Sequence, residues 1–382
     1  MSDRRAPVLS LILCSRNDAY MGDSRWRLET TLNYIAAEVA TLGVQNQDKV
    51  EIVVADWGSH VPLKDAVALD PVAAPLVSFV TVPTDLAQQL QQDSPFPEVI
   101  AINAAARRAR GEFIGRIDQD TLVGRRFLAT FLDWVERQES PVRAPLHGAL
   151  WFSCRRSIPY RFAVRCPRFS DVARLIRWGG RWLEVEVART FYCSGVGIWL
   201  LHRDLWDESG GYDERMIYMN DMEIDMATRL MTRYPMVDLG KLVNYDFYHL
   251  DHYHPRGPRS SSAHRRVNHQ HTRERAGFRP SGRLWGMADA DLAIAPATWC
   301  LNAVPRSWLS RVPTPRFAVV AAWMAVRTVA DRLWFQSWPL VRQRWMRRAR
   351  LAWEAVTGQP IVEWPGRLWK AWAERPSAKA QS

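Results

Sequence analysis

Cysteine is scarce in this chain. Cys14, Cys154, Cys166, Cys193 and Cys300 are the only five in 382 residues, an odd number at scattered positions. They exclude a disulfide framework and show no thiolate metal spacing. Scattered thiols fit a reducing compartment, so a cytoplasmic location is expected. Long apolar runs are missing as well. No uninterrupted stretch reaches the roughly 20 residues that a membrane-spanning helix needs. The apolar run after Arg4-Arg5 is only about seven residues long, which suits a first strand better than a secretory signal. No internal repeat is present, which removes solenoids and propellers. With 47% hydrophobic and 24% charged residues, the composition excludes disorder of the whole chain.

What the chain does have is an uneven charge. The net charge is +11, yet residues 301–382 hold 14 Lys and Arg against 4 Asp and Glu, so the preceding 300 residues are nearly neutral. The same C-terminal segment carries nine of the 19 tryptophans. Around 316–356 they stand at helical spacing with Arg342, Arg344, Arg347, Arg348 and Arg350 among them. Basic, tryptophan-bearing amphipathic helices suit the headgroup region of an anionic membrane, and the same stripe equally suits packing on a catalytic domain. Nucleic acid is not expected as a partner, because no recognised module surrounds the basic residues.

Strand-like and helical patterns alternate through about residue 135, the pattern of a parallel α/β sheet. Val8–Cys14, Glu51–Ala55, Leu76–Val82 and Phe113–Ile117 read as strands, and Arg25–Thr41, Ala101–Arg110 and Gly124–Glu139 as helices. Residues 140–190 are arginine-rich and yield no assignment beyond an insertion. Ser194–Leu201 and Met236–Leu239 read as further strands, and Gly195 and Gly197 would let backbone approach a ligand there.

The most informative residues are Asp118-Gln119-Asp120, at the end of the buried run Phe113–Ile117. Two carboxylates one residue apart at a strand end can share a divalent cation, and a nucleoside diphosphate is the usual anion for that cation to act on. A solvated acidic turn is the bland alternative. Downstream, Gly210-Gly211-Tyr212-Asp213-Glu214 leads into a helix start with Asp221, Glu223 and Asp225. Three histidines, His249, His252 and His254, then fall within six residues.

The order helix, Arg110-Gly111-Glu112, buried strand, Asp118-x-Asp120 resembles the inverting glycosyltransferases of the GT-A fold, family 2-like. The loop Ser15-Arg16-Asn17-Asp18 after the first strand and Asp56 at the end of the second resemble their nucleotide-binding elements. The family's second acidic or amide residue is here Trp57. The Gly-Gly-Tyr-Asp-Glu turn is similar to the one in the same enzymes. His249 and His252 resemble the paired ligands of β-1,4-galactosyltransferase-like enzymes.

The resemblance covers roughly residues 6–255 and implies an α/β GT-A catalytic domain there; beyond it, composition points to a basic mobile loop or linker at 256–296 and a mainly helical Trp/Arg-rich appendage at 297–382. It implies Ser15, Asn17, Asp56, Asn103 and Asp118 around a nucleotide-sugar donor, a UDP-sugar being favoured. Asp120, His249 and His252 would hold Mn2+ or Mg2+. Counting back from Arg229 puts the catalytic base on Glu223, with Asp221 as its rival, since Met222 stands where the family has a glutamate. A glycan or lipid-linked acceptor at the inner face of the membrane, in bacterial cell-surface polysaccharide synthesis, is the implied setting. Two other readings stand beside it: a metal-dependent hydrolase built on His249, Asp251, His252 and His254, and a non-catalytic peripheral membrane or nucleic-acid binding protein.

Overall fold

The computed structural model describes residues 6–20, 22–158, 169–186, 196–218, 222–252 and 284–298, with Ala322 and Val326. Contacts divide the chain into units 1–321 and 322–382. Asp221, His254, the basic loop at 256–283 and nearly all of the 297–382 appendage lie outside the described residues.

The strands are β1 (Leu9–Ser15), β2 (Val50–Trp57), β3 (Val77–Val82), β4 (Phe113–Arg116), β5 (Thr121–Val123), β6 (Leu150–Cys154), β7 (Arg156–Ile158), β8 (Val196–His202), β9 (Met236–Asp238), β10 (Phe247–Leu250) and β11 (Ile294–Pro296). The helices are α1 (Ser24–Ala40), α2 (Val44–Gln47), α3 (Leu63–Ala66), α4 (Thr84–Gln91), α5 (Glu98–Arg108), α6 (Arg125–Arg137), α7 (Phe169–Gly179), α8 (Arg203–Ser209), α9 (Met222–Met231) and α10 (Leu239–Leu242). The α/β class expected from the sequence is the class of the structure.

Eight strands form one mixed sheet in the order β11-β3-β2-β1-β4-β8-β6-β9. Strands β3, β2, β1 and β4 run parallel, and β8 pairs antiparallel with both β4 and β6. The period-2 alternation of a strand explains the layers. Leu9, Leu11 and Leu13 of β1 pack with Leu28, Leu32 and Ile35 of α1 and Phe127 and Phe131 of α6 on one face. Ile12 and Cys14 point the other way, towards Ala101, Ala104 and Ala105 of α5 and Met226 of α9. Each of the larger aliphatic side chains removed from water here contributes about 1.5–3 kcal/mol.

Helix α5 starts at Glu98, three residues earlier than the apolar periodicity indicated, with Pro97 at its N-cap. Trp57 is fully buried in the core at the end of β2 and donates from Nε1 to Gln91 of α4 at 3.3 Å. Gly197 does not face a ligand: a Cβ on it would stand 2.8 Å from the Cβ of Phe247, so the missing side chain lets β10 pass close to β8.

Part of the span read as a linker belongs to the fold. Strand β11 pairs antiparallel with β3, and Trp285, Met287 and Leu292 are buried in the core. Arg108 of α5 donates to the carbonyls of Gly286, Met287 and Ala290 at 2.8–2.9 Å.

A second, three-stranded sheet, β5-β10-β7, stands beyond the C-terminal end of β4. Its register places His249 opposite Thr121 on one side and Ser157 on the other. The histidine is thereby set beside Asp120, whose carbonyl accepts from the Leu250 N–H at 2.9 Å.

Candidate active site

Parallel α/β sheets bind ligands beyond the carboxyl ends of their strands, where neighbouring connections diverge. Here the chain leaves β1 towards β2 on one side, and β4 lies on the other. Ser15 ends β1, and Asp118-Gln119-Asp120 follows β4 at the same end of the sheet. Ser15 Oγ donates to Gln119 Oε1 at 2.6 Å and fixes the acidic turn.

Asp120, His249 and His252 each bring one donor atom into a group whose members lie within 4.8 Å of one another. His249 Nε2 stands 3.7 Å from Asp120 Oδ1, and His252 Nε2 stands 3.5 Å from Asp120 Oδ2. Two atoms bound to one ion at about 2.1 Å and near a tetrahedral angle stand roughly 3.4 Å apart. The tautomer of His249 follows from its other nitrogen. Nδ1 lies 2.7 Å from Glu186 Oε1, so it donates to that carboxylate, while the buried Nε2 has no hydrogen-bond partner. A carboxylate behind a histidine that aims its free nitrogen at an acidic group is the usual second shell of a metal ligand. Burial works to raise the pKa of Glu186, but His249 and Arg155 outweigh it and hold the carboxyl at about 2. One carboxylate oxygen and two imidazoles fit Mn2+ well and Mg2+ less well.

Asp118 is placed otherwise. Its Oδ1 pairs with Arg116 Nη2 at 2.7 Å and its Oδ2 with Arg155 Nη1 at 2.6 Å. Against the upward push of burial, those two guanidinium groups hold its carboxyl below the usual range. Arg155 also donates to Glu186 at 2.9 Å and Thr121 at 3.0 Å, tying both carboxylates to the small sheet. Arg27, buried in α1, points Nη1 at Asp120 Oδ2 from 3.6 Å, and neither its Nε nor its Nη1 has a hydrogen-bond partner. Two cationic N–H groups without partners suit an anionic ligand.

On the far side of Arg116 is a knot of carboxylates. The guanidinium is buried and reaches Glu98, Asp118 at 2.7 Å and Glu223 Oε1 at 3.4 Å. One cation cannot balance three anions. Burial and the neighbouring Asp118 and Glu223 push Glu98 up to about 7, although Arg116 pulls it down. Such a carboxyl holds its proton more tightly folded than unfolded. Its contribution to stability is therefore complete below pH 4.5 and is lost as pH rises through about 7. At 1.36 kcal/mol per unit, the loss is roughly 3 kcal/mol. Glu98→Gln is expected to remove that slope in denaturant unfolding series from pH 5 to pH 8. Parallel slopes in wild type and variant would show that Glu98 carries no such proton.

Three of the residues expected around the donor have other work. Asp56 is completely buried, accepting from Ser59 Oγ and from the Leu63 N–H at 2.7 Å, so it shapes the loop after β2. Asn103 is also fully buried. Its amide donates to the Tyr212 carbonyl at 2.9 Å and to Glu214 at 3.0 Å, and accepts from the Tyr212 N–H at 2.9 Å. It therefore locks α5 to the Gly210-Gly211-Tyr212 turn. Gly211 has φ +68°, and a Cβ there would stand 2.2 Å from Asn103 Oδ1, so this turn requires glycine. Buried Ser15 is spent on Gln119. Asn17 stays at the rim, its backbone N–H donating to Ser59 Oγ at 2.8 Å and its side-chain amide to the Val61 carbonyl at 3.0 Å.

Glu223 lies in the first turn of α9 and is held against Arg116, whereas Asp225 is buried in an ion pair with Arg229 at 2.8 Å. The sequence reading missed Glu98, Arg116, Arg155 and Glu186. A signal existed for Arg116, because an arginine inside an apolar strand must find buried partners. Asp251 is not among the three residues whose donor atoms converge.

No protein-family model and no curated protein matches the chain. Among solved structures it is similar to S. aureus TarS, at 11% identity and TM-score 0.37, covering 64% of this chain and 37% of TarS. It is also similar to the mannosyltransferase PcManGT from Pyrobaculum calidifontis, described in complex with GDP-Man and Mn2+. That likeness has 17% identity and TM-score 0.38, covering 87% of this chain and 83% of the other. The chain thus spans little more than a third of the length of TarS.

Proposed function

We propose that the chain is a metal-dependent inverting glycosyltransferase that moves a sugar from a nucleoside-diphosphate donor to a glycan or lipid-linked hydroxyl. The observation that carries the reading is the convergence of Asp120, His249 and His252 beyond the carboxyl end of β4, with Glu186 directing the His249 lone pair into the group. A parallel sheet that ends in an oxygen and nitrogen donor set, beside an arginine with N–H groups to spare, suits a diphosphate ester.

In this reading Asp120, His249 and His252 would hold Mn2+, which supplies Lewis-acid neutralisation of the leaving diphosphate. Arg27 offers Nε and Nη1 to diphosphate oxygens. Asp118, fixed between Arg116 and Arg155, orients the acidic turn and lies towards the donor ribose. Glu223 takes the proton from the acceptor hydroxyl as its oxygen attacks the anomeric carbon, on the face opposite the departing nucleotide. Attack from that face inverts the anomeric centre. The transition state has oxocarbenium character, as in inverting glycosidases.

The test is a donor screen by mass spectrometry, with UDP-, GDP- and dTDP-sugars in the presence of Mn2+. Hydrolysis or transfer from at least one donor, lost on chelation and restored by Mn2+, is expected. Absence of turnover with every donor, together with no metal-dependent retention of UDP or GDP, would reject the proposal.

A further inference from the structure

Helix α7 ends in a surface that neither the core nor the candidate active site uses. Its inner face is supplied by buried Val172 and Leu175, three residues apart as one helix face requires. Asp171, also buried, pairs with Arg174 at 3.3 Å. Trp178 is left 79% exposed, and Trp182, which closes the short 3-10 helix Gly180–Trp182, is 47% exposed. Arg177 and Arg181 are exposed beside them. The Arg181 guanidinium lies over the Trp182 ring, 4.9 Å from its centroid. Among the described residues neither Arg177 nor Arg181 is held in an ion pair. Glu184 is the one exposed acidic residue between 170 and 186.

An exposed tryptophan adds nothing to the core, and two of them within one short segment make a patch where a single exposed apolar residue would need no explanation. The neighbouring arginines give the patch a positive sign. Indole rings settle at the level of lipid headgroups, and guanidinium groups bind phosphate oxygens there. The patch is also tied to the small sheet. Arg156 of β7 donates to the carbonyls of Arg181 at 3.3 Å and Leu183 at 2.7 Å. The Ser157 N–H donates to the Glu184 carbonyl at 2.9 Å, and the Glu186 N–H to the Arg155 carbonyl at 2.7 Å. Glu186 is the carboxylate that holds His249. It follows Trp182 by four residues, so their Cα atoms stand at most about 14 Å apart.

We propose that Arg177, Trp178, Arg181 and Trp182 form a docking surface for an anionic phospholipid membrane. The two indoles enter the headgroup layer, and the two guanidinium groups bind lipid phosphates. Docking on this surface holds the Asp120, His249 and His252 group near headgroup level, where a lipid-linked acceptor presents its hydroxyl. That consequence rests on the proposed transferase reaction, whereas the docking itself does not. The surface is distinct in sequence from the Trp/Arg-rich stretch at 316–356, which stays unchanged in every variant below.

The test uses the full chain, without donor or metal, and vesicles of phosphatidylglycerol, with phosphatidylcholine vesicles as the control. Hydrogen exchange read by mass spectrometry should slow in peptides spanning 172–184 on phosphatidylglycerol and not on phosphatidylcholine. In co-sedimentation, the double variant Arg177→Gln, Arg181→Gln should partition about 30-fold more weakly at low salt and converge on wild type at high salt. Trp178→Ala should weaken partitioning by at least about tenfold at low and high salt alike. All three side chains are exposed, so the fold should be kept. Unslowed exchange at 172–184 would overturn the proposal, as would wild-type partitioning in both variants. A wild-type dimer in light scattering that Trp178→Ala dissolves would overturn it too, because a second copy would then cover the patch. No donor enters these measurements, so their failure is independent of a failed donor screen.

Discussion

Replacing Glu223 by glutamine is expected to lower turnover by roughly 10²–10⁴-fold with little change in donor binding. The expectation follows from the position of the carboxylate. Glu223 sits in the first turn of α9, where Arg116 holds one of its oxygens at 3.4 Å. Glutamine keeps the shape and an oxygen for Arg116 but cannot accept the acceptor's proton. The loss should therefore appear in kcat at saturating donor and acceptor. Asp221→Asn, measured alongside, separates the two carboxylates at this helix start. Near-normal turnover in Glu223→Gln together with a collapse in Asp221→Asn would move the base to Asp221. Normal turnover in both would make the helix start structural.

The second large effect is expected at the metal group. Asp120→Asn should abolish Mn2+-stimulated turnover and remove high-affinity Mn2+ binding, read directly by electron paramagnetic resonance. Asp120 is the residue that both histidines face, at 3.5 and 3.7 Å. Glu186→Gln is the finer probe. It removes the charge that orients His249, and 10–100-fold weaker Mn2+ binding is expected with the three donors retained. A folded Asp120→Asn protein that binds Mn2+ as wild type does would rule out the assignment.

The parallel half of the sheet could be read from residues because its strands are buried on both faces. Val8–Cys14 and Glu51–Ala55 announce themselves as apolar runs, and the structure places β1 and β2 there within a residue or two. Glycine punctuation placed the turn at Gly210-Gly211 for a physical reason, a positive φ at both positions. The small sheet was hidden. Strands β5 and β7 have three residues each, too few for any period to show. Arg155 and Glu186 take their meaning only from the fold, which carries residues 31 apart to a 2.9 Å contact. Asn103 and Asp56 have partners that the motif order did not show: both are completely buried and hold loops in place.

Strand β11 has a consequence for handling the protein in pieces. It covers the outer side of β3, whose sequence Val-Ser-Phe-Val-Thr-Val is uncharged and rich in β-formers. A fragment cut at residue 255, where the motifs end, would keep β3 and lose its cover. The exposed backbone groups would then be a template for a strand of another molecule, with Phe79 and Val80 beside them. The native border is blunter, since β11 is three residues long and closes with Pro296, which has no N–H to offer a further strand. The short segment at 284–298 therefore guards the chain against self-association.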